Sequence, residues 1–188
     1  MALPFRAFTI KHSGLVNRII TEVGLTPAFD PKAPPSPLPS LVPTSALWDT
    51  GATGTALTPS VVSKLGLIPT GMAIVGHAGG SSPSNTYLVN LYLPNNVAIA
   101  GVPVTECAET AQFGAIVGMD IICEGDFAVT NVARQTWFSF CVPSIRGIDY
   151  VQELNKVVFA GVGRNEPCPC GQRDAQGKRV KFKRCHGR

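Results

Sequence analysis

Two short segments of this 188-residue chain contain the side chains that could do chemistry. One is Asp49-Thr50-Gly51, which directly follows the apolar residues Leu47 and Trp48. A carboxylate held by a turn at the end of a strand can activate water or exchange protons with a substrate. The other is a C-terminal cluster of three thiols and one imidazole, the ligand types of a structural zinc site. Its members are Cys168, Cys170, Cys185 and His186.

The C-terminal cluster lies in a strongly basic segment. Residues 164–188 contain 8 Lys and Arg but 2 Asp and Glu, a charge of +6, whereas residues 1–163 contain 8 and 10, a charge of −2. A segment of about 25 residues has no adequate core, so bound metal would supply most of its folding energy. The sequence therefore predicts a closed, structural zinc site whose charge suits an acidic protein or RNA partner. A basic disordered tail with incidental cysteines is the alternative.

The elements that must position Asp49 are short strands separated by turn residues, which predicts a mainly β barrel or sandwich. Thr58-Pro59 and Gly66 mark the start and stop of one short helix, Pro59 to Leu65. Residues 30–43 contain six prolines and are predicted to form a loop. Residues 144–160 are left open between a helix and a last strand at 156–160. The predicted strands are 5–10, 15–23, 45–49, 72–75, 86–93, 97–105, 114–117, 126–131 and 135–141.

Three pieces in this order resemble the retropepsin-like aspartic proteases. They are Asp49-Thr50-Gly51-Ala52, the glycine-rich segment Gly76 to Ser82, and the apolar-apolar-glycine element Ile116-Val117-Gly118. The resemblance covers residues 10–142. It implies a retropepsin-like closed β-barrel subunit with one or two short helices, followed here by a small zinc-binding module.

The same resemblance implies roles for individual residues. Asp49 would be the catalytic aspartate, with Thr50 joining the two active-site loops of a dimer, and Gly118 would pack closely behind the catalytic loop. A flap would close over a polypeptide substrate, which makes Ala52 and the flap tip the expected substrate-binding positions. His77 would touch substrate or be only an exposed turn residue. The expected tip residues are Gly76, His77, Ala78, Gly79 and Gly80.

Peptide hydrolysis by this route needs two carboxylates that share one proton. The chain has one Asp-Thr-Gly, and the context of Asp120 suggests a structural role for it. The sequence therefore predicts an aspartic endopeptidase that is active as a homodimer, with Asp49 from each copy and no cofactor for catalysis.

The C-terminal segment is similar to a SEC-C motif, the zinc module at the end of the bacterial translocation motor SecA. The matching pieces are Gly163-Arg164-Asn165, Pro167 to Gly171 and Lys183 to Gly187, with Gln172 to Gly177 as an insertion. This similarity implies that the module recruits a partner, such as an acidic protein or the ribosome.

The predicted organisation is a protease domain at 1–145, a linker or terminal strand or helix at 146–162, and the zinc module at 163–188. No run approaches the ~18 apolar residues of a membrane span, and the first residues lack the pattern of a signal peptide. We therefore expect a cytoplasmic protein of a bacterium. Two other functions stay open: a non-catalytic dimeric adaptor that works through the zinc module, and a nucleic-acid-binding protein, which only the tail charge supports.

Overall fold

The structure, a computed structural model, describes residues 5–77, 79–94 and 96–187, with only the backbone of His77. The chain divides into two compact units, Met1–Ile145 and Arg146–Arg188. The first unit consists mainly of strands, which confirms the predicted fold class. The assignment of residues 1–145, 146–162 and 163–188 to separate functions stays a prediction.

The described residues of the first unit contain ten strands in two sheets. The smaller sheet is antiparallel in the order β1-β10-β9, and the larger has the order β2-β3-β8-β4-β7-β6-β5. The strands are β1 (Arg6–Lys11), β2 (Ile19–Pro27), β3 (Val42–Trp48), β4 (Ala56–Leu57), β5 (Gly71–His77), β6 (Gly80–Tyr92), β7 (Ala98–Glu106), β8 (Ala115–Val117), β9 (Asp126–Thr130) and β10 (Trp137–Val142).

The larger sheet curves back on itself through one further pairing. β2 pairs with β3 on one side and, over Gly24–Pro27, with β6 on the other, so hydrogen bonds link six strands in a ring. β5 extends from this ring as the outer strand of a hairpin with β6. The β3–β8 and β4–β7 pairs are parallel. This ring of paired strands bears on the predicted closed barrel. A closed barrel of the retropepsin type stays a prediction.

The core of the first unit contains aliphatic side chains from the ring and an aromatic cluster beside them. Trp48, at the end of β3, is 5% exposed and joins the two parts. Its ring centroid lies 5.1 Å from that of Phe138 and 4.8 Å from that of Phe140, both on β10 of the smaller sheet. The last residue of the strand before Asp49 is therefore anchored in both sheets.

Helix α1 (Pro59–Leu65) has the bounds predicted from the sequence. Gly66 ends it in the left-handed region at φ +61°, which favours glycine. Thr58 precedes the helix as predicted, but its side chain does not cap it. The carboxylate of Glu109 instead accepts hydrogen bonds from the Ser60 N–H and hydroxyl, both at 3.0 Å. A second short helix, α2 (Met119–Ile122), follows β8, and the residues between β9 and β10, Val132–Arg134, form a 3-10 turn.

The strand predicted at 15–23 is wrong in its first four residues, because β2 begins at Ile19. The N–H of Val16 donates to the Thr136 hydroxyl at 3.1 Å, a side-chain partner instead of a neighbouring strand. At the other end β2 continues through Gly24 to Pro27. A β-carbon at Gly24 would lie 2.7 Å from Leu41 Cδ1, so this glycine leaves room for the Leu41 side chain.

The second unit contains helix α3 (Tyr150–Val158), so the alternative of a strand at 156–160 is wrong. The Asp149 carboxylate begins the helix by accepting a hydrogen bond from the Gln152 N–H at 2.9 Å. A 3-10 turn at Phe182–Arg184 and two antiparallel bridges, Pro167 with Lys181 and Arg173 with Arg179, form the remainder. Over the described ranges, no helix is long and apolar enough to cross a bilayer.

Candidate active site and zinc centre

Asp49 directly follows β3, at the point where β3 runs parallel to β8. Its N–H donates to the Val117 carbonyl at 3.0 Å, which continues the pairing of the two strands by one residue. Its carboxylate Oδ1 accepts a hydrogen bond from the Gly51 N–H at 2.8 Å. The Ala52 N–H donates to the Asp49 carbonyl at 3.2 Å and closes the turn. Strand pairing and a tight turn thus hold the half-buried carboxylate in one position.

Backbone hydrogen bonds from the start of α2 support the loop after Asp49. The Met119 N–H donates to the Ala52 carbonyl at 2.8 Å, and the Asp120 N–H donates to the Thr53 carbonyl at 3.2 Å. A β-carbon at Gly118 would lie 2.5 Å from the carbonyl carbon and oxygen of Gly54. The expectation that Gly118 packs closely behind the loop of Asp49 is therefore confirmed.

The carboxylate of Asp120 is engaged by the loop and by α2. It accepts hydrogen bonds from the Thr55 N–H at 3.0 Å, from the Thr55 hydroxyl at 2.9 Å and from the Ile121 N–H at 3.0 Å. Thr55 is 2% exposed, and its hydroxyl oxygen also accepts from the Gly118 N–H at 3.3 Å. These contacts confirm the structural role expected for Asp120.

An open cleft of about 420 Å³ lies beside the Asp49 loop. Of the residues that line it, Asp49 is the only acid and Arg18 the only base. The lining residues are Val16, Asn17, Arg18, Ile19, Leu47, Trp48, Asp49, Thr50, Phe127 and Val129. Within one chain this cleft offers a single carboxylate to a substrate.

Most of the cleft could not be identified from the sequence. The Asp-Thr-Gly motif identifies Asp49 and Thr50, but residues 16–18 are predicted to lie in a strand. Phe127 and Val129 come from β9, about 80 residues later in the chain. Their side chains meet Asp49 only because the smaller sheet packs against Trp48. Alternating apolar residues in β9 indicate a strand and carry no signal of a cleft.

The expected flap is the β5–β6 hairpin, in which Gly76 pairs with Ser81 and His77 with Gly80. Gly80 has φ +123°, a backbone conformation that side chains rarely adopt. Gly76, Gly79 and Gly80 are not among the residues that line the cleft of one chain. Ala78 lies outside the described residues. The substrate-binding roles of these positions and of Ala52 therefore stay predictions, as do the catalytic roles of Asp49, Thr50 and Gly51.

The four predicted metal ligands come together in the second unit. The sulfur and nitrogen atoms of Cys168, Cys170, Cys185 and His186 all lie within 4.8 Å of one another. Cys168 Sγ and Cys185 Sγ are each 3.2 Å from His186 Nδ1, and the sulfurs of Cys170 and Cys185 are 3.5 Å apart. Zinc–sulfur bonds of about 2.3 Å in a tetrahedron place ligand atoms roughly 3.8 Å apart. Donor types and spacing thus fit zinc.

The local fold explains why these ligands meet. Gly171 has φ +80°, and its N–H donates to the Cys168 carbonyl at 3.2 Å, which forms a tight turn between the first two cysteines and the following hairpin. The Cys168 N–H donates to the Val180 carbonyl at 2.8 Å, across a hairpin formed by the predicted insertion. Removal from water and the nearby sulfurs of Cys170 and Cys168 raise the pKa of the Cys185 thiol to about 12. A bound cation would stabilise the deprotonated sulfurs and so offset the cost of holding them close together.

A comparison with known protein families finds a match within the first unit. Residues 41–121 match the aspartyl protease family model. This segment runs from β3 through Asp49 and the β5–β6 hairpin to Ile121 in α2. The match supports the resemblance to aspartic proteases. It does not extend into the cysteine-rich segment, where the SEC-C similarity stays a prediction.

Two solved structures are similar in shape. One is a retropepsin-like aspartic protease from Rickettsia conorii, with 11% identity, a TM-score of 0.43 and coverage of 73% of this chain and 95% of that one. The other is EIAV protease complexed with the inhibitor HBY-793, with 20% identity, a TM-score of 0.41 and coverage of 57% and 88%. No curated protein matches the chain by sequence.

Proposed function

We propose that the protein is an aspartic endopeptidase that works as a homodimer, with Asp49 of each copy forming the catalytic dyad. The observation that supports this proposal most directly is the position of Asp49. Its carboxylate is the only acid lining the cleft, and strand pairing and the Gly51 N–H hold it there. The family match over residues 41–121 supports the assignment.

A second chain is needed because Asp49 is the one acid among the described residues that line the cleft. Asp120, the other aspartate of this region, already accepts three hydrogen bonds from Thr55 and Ile121. A twofold axis through the Asp49 loops supplies a second, identical carboxylate. Thr50 and Gly51 are exposed at the surface of this loop, where a second copy can reach them. In the proposed dimer Thr50 joins the two loops.

The proposed reaction follows from the paired carboxylates. Like charges at short range cannot both ionise, so one aspartate is ionised and the other keeps its proton. The ionised carboxylate takes a proton from water as the water oxygen bonds to the scissile carbonyl carbon, and the protonated carboxyl donates to the carbonyl oxygen. Collapse of this intermediate breaks the C–N bond, and the amine leaves with a proton from the dyad. The β5–β6 hairpin, with Gly76, His77, Gly79 and Gly80, closes over the peptide.

The second unit has a separate role in this proposal. Cys168, Cys170, Cys185 and His186 hold a structural zinc ion, whose bonds stabilise a segment that has little apolar core. The basic side chains around it recruit an acidic protein or the ribosome, which raises the local concentration of substrate. The SEC-C similarity of this segment leads us to propose a cytoplasmic location in a bacterium.

The test replaces Asp49 by asparagine, which removes the titratable proton and keeps the shape. Purified wild-type protein should cleave a denatured protein or a peptide library, and a pepstatin-type inhibitor should stop cleavage. We expect Asp49→Asn to reduce cleavage to background. Asp30→Asn, in the loop before β3, is the control and should keep full activity. Cleavage that persists in Asp49→Asn would refute the dyad.

A non-catalytic adaptor is the second candidate, because the zinc ligands come together independently of Asp49. It predicts no cleavage by the wild-type protein, together with partner binding that is lost in Cys168→Ser and kept in Asp49→Asn. The endopeptidase predicts cleavage in the first of these assays.

A further inference from the structure

A small cavity lies in the second unit beside the candidate zinc ligands. Its volume is about 190 Å³, below the ~300–1,000 Å³ of pockets that hold a cofactor or another small molecule. A cavity of this size suits one anchoring side chain of a partner protein. The residues that line it, hereafter the α3 cavity, are Gln152, Asn155, Lys156, Phe159, Phe182, His186 and Gly187.

Part of this lining is a face of helix α3 that is rich in hydrogen-bond donors. Asn155 and Lys156 lie three and four residues after Gln152, so the three side chains share one face of the helix. The ammonium group of Lys156 only donates, and each amide group offers two N–H donors. Among the residues that the structure describes, none forms a hydrogen bond or an ion pair with these three side-chain groups, and none of those lining the cavity is acidic. This face therefore suits an acceptor that carries negative charge.

The rest of the lining is largely aromatic. The Phe159 ring lies 5.5 Å from the Phe182 ring and 4.6 Å from the His186 imidazole, centroid to centroid. A β-carbon at Gly187 would lie 2.8 Å from two carbon atoms of the Phe182 ring, so this glycine leaves room for the ring. Donors and apolar rings in one small cavity match a carboxylate at the end of a methylene chain.

His186 adds a donor to this lining when the candidate ligands hold zinc. Its Nδ1 lies 3.2 Å from Sγ of Cys168 and 3.2 Å from Sγ of Cys185, so Nδ1 is the nitrogen placed to bind the ion. The proton of the imidazole then resides on Nε2, and metal-bound histidines usually donate that proton to a carboxylate, a carbonyl or water. A carboxylate in the α3 cavity would complete this pattern.

We propose that the α3 cavity binds the side chain of a glutamate or aspartate of a partner polypeptide. Lys156, Asn155 and Gln152 bind the carboxylate, and the rings of Phe159 and Phe182 contact its methylene groups. A C-terminal carboxylate is usually captured by backbone N–H groups, whereas the donors here belong to side chains. This inference rests on the recruiting role proposed for the second unit, and it names the group that is recognised.

The charge of the second unit favours the same partner. Residues 146–188 contain 10 Lys and Arg but 4 Asp and Glu, a charge of +6. Such a charge attracts acidic segments from a distance but does not select one group among them. Contact with the α3 cavity supplies that selection.

The first experiment compares three peptides that differ in one group. Zinc-loaded full-length protein carries Asp49→Asn, so that the peptides stay intact, and is isotope-labelled for NMR. The probes are acetyl-Gly-Ser-Leu-Glu-Leu-Ser-Gly-amide, the same peptide with Gln in place of Glu, and the Gln peptide with a free C-terminal carboxylate. The Glu peptide should shift the side-chain amide signals of Gln152 and Asn155, and the other two peptides should not.

Three outcomes of this comparison would overturn the proposal. The first is no shift with the Glu peptide at millimolar concentration, and the second is an equal shift with the Gln peptide. The third is a stronger response to the free C-terminus, or to a short uridine oligonucleotide, which would assign the cavity to a different ligand.

The second experiment separates the α3 cavity from the general charge of the second unit. In the same Asp49→Asn protein, Lys156→Met should weaken binding of the Glu peptide roughly tenfold, the effect of losing a hydrogen bond to a charged group. Asn155→Leu keeps the size and the net charge and should also weaken binding. Lys178→Met removes the same charge from an exposed residue outside the cavity and should leave the dissociation constant unchanged. Equal weakening in Lys156→Met and Lys178→Met would mean that only general charge attracts the peptide, and the proposal fails.

The outcomes for the cavity and for the proposed enzyme can be told apart. Metal analysis of each variant checks that the second unit keeps its zinc, and peptide binding is measured without cleavage. Binding of the Glu peptide by a protein whose wild type cleaves nothing would refute only the endopeptidase. A wild-type protein that cleaves substrate and holds zinc, but whose Asp49→Asn variant does not bind the Glu peptide, would refute only the proposed role of the α3 cavity.

Discussion

At the scale of single residues, the position of Asp49 depends on neighbours that have no reactive group. Thr55 holds the loop from one side, because its N–H and its hydroxyl both donate hydrogen bonds to the Asp120 carboxylate. Gly118 allows the backbone of Gly54 to approach within contact distance. A small error here moves the Asp49 carboxylate, and in the proposed enzyme a misplacement of this group by about 1 Å would cost on the order of 100-fold in rate.

We predict that Gly118→Ala destabilises the first unit by about 1–3 kcal/mol, the usual cost of forcing extra volume into a packed site. Gly118 has φ −90°, which alanine tolerates, so the effect is steric: its β-carbon would lie 2.5 Å from backbone atoms of Gly54. Urea unfolding measures the free energy of unfolding. Gly14→Ala is the control, because its β-carbon would have no atom within 4 Å. Equal stability of the two variants would contradict the prediction.

At the scale of elements, β3 connects Asp49 to both sheets. Its last residue, Trp48, donates from Nε1 to the Thr21 hydroxyl of β2 at 2.9 Å and packs against aromatic rings of β9 and β10. β3 also pairs with β8, whose end leads to Gly118 and α2. Strand β3 thus fixes how deeply Asp49 is buried in the first unit. It also fixes the position of the loop that supports Asp49.

We predict that Trp48→Ala destabilises the protein by about 3–5 kcal/mol, because it leaves a cavity in the aromatic cluster and removes the partner of Thr21. Trp137→Ala is the matched control. Trp137 is half-buried, its Nε1 makes no hydrogen bond, and its main ring contact is with Lys11 Nζ at 3.8 Å. It should cost clearly less in the same denaturation experiment. A comparable loss in both variants would mean that Trp48 has no special role in joining the sheets.

At the scale of the whole molecule, the two units are stabilised by different physical means. The first buries an aliphatic and aromatic core. In the second, Cys168 is fully buried, and the ligand cluster lies beside the ring contacts of Phe159, Phe182 and His186. Burial stabilises the first unit whatever the metal content, whereas the second depends on the ligands remaining together.

We predict that the purified protein contains one zinc ion per chain and that Cys168→Ser loses it. The near-ultraviolet spectrum from the aromatic cluster of the first unit should stay unchanged, since that unit has its own core. Metal analysis and circular dichroism check the two parts. Cys123→Ser, at an exposed cysteine outside the cluster, should keep its zinc. Full zinc content in Cys168→Ser would show that Cys168 is not a ligand.

Several features were predictable because they depend on residues close together in the chain. Thr58-Pro59 and Gly66 predicted the bounds of α1, since proline and glycine act on their own backbone angles. Gly171 has φ +80° in a tight turn, which also depends on its own backbone angles. The capping of α1 by Glu109 was not predictable, because that carboxylate comes from 49 residues away. The start of β2 was misplaced because Val16 bonds to the distant Thr136 side chain.

The sequence by itself determined which side chains could react or bind metal: Asp49 in its turn, and the four candidate metal ligands near the C-terminus. Local rules suffice for this, because turn chemistry and ligand type depend on neighbouring residues. Only the tertiary structure decided what surrounds them. Packing between elements distant in sequence brought β9 and Arg18 to the cleft, occupied the Asp120 carboxylate with Thr55, and placed Gln152 and Lys156 of α3 in one cavity with His186. Such contacts arise from the packing of the whole chain, which local sequence patterns do not specify.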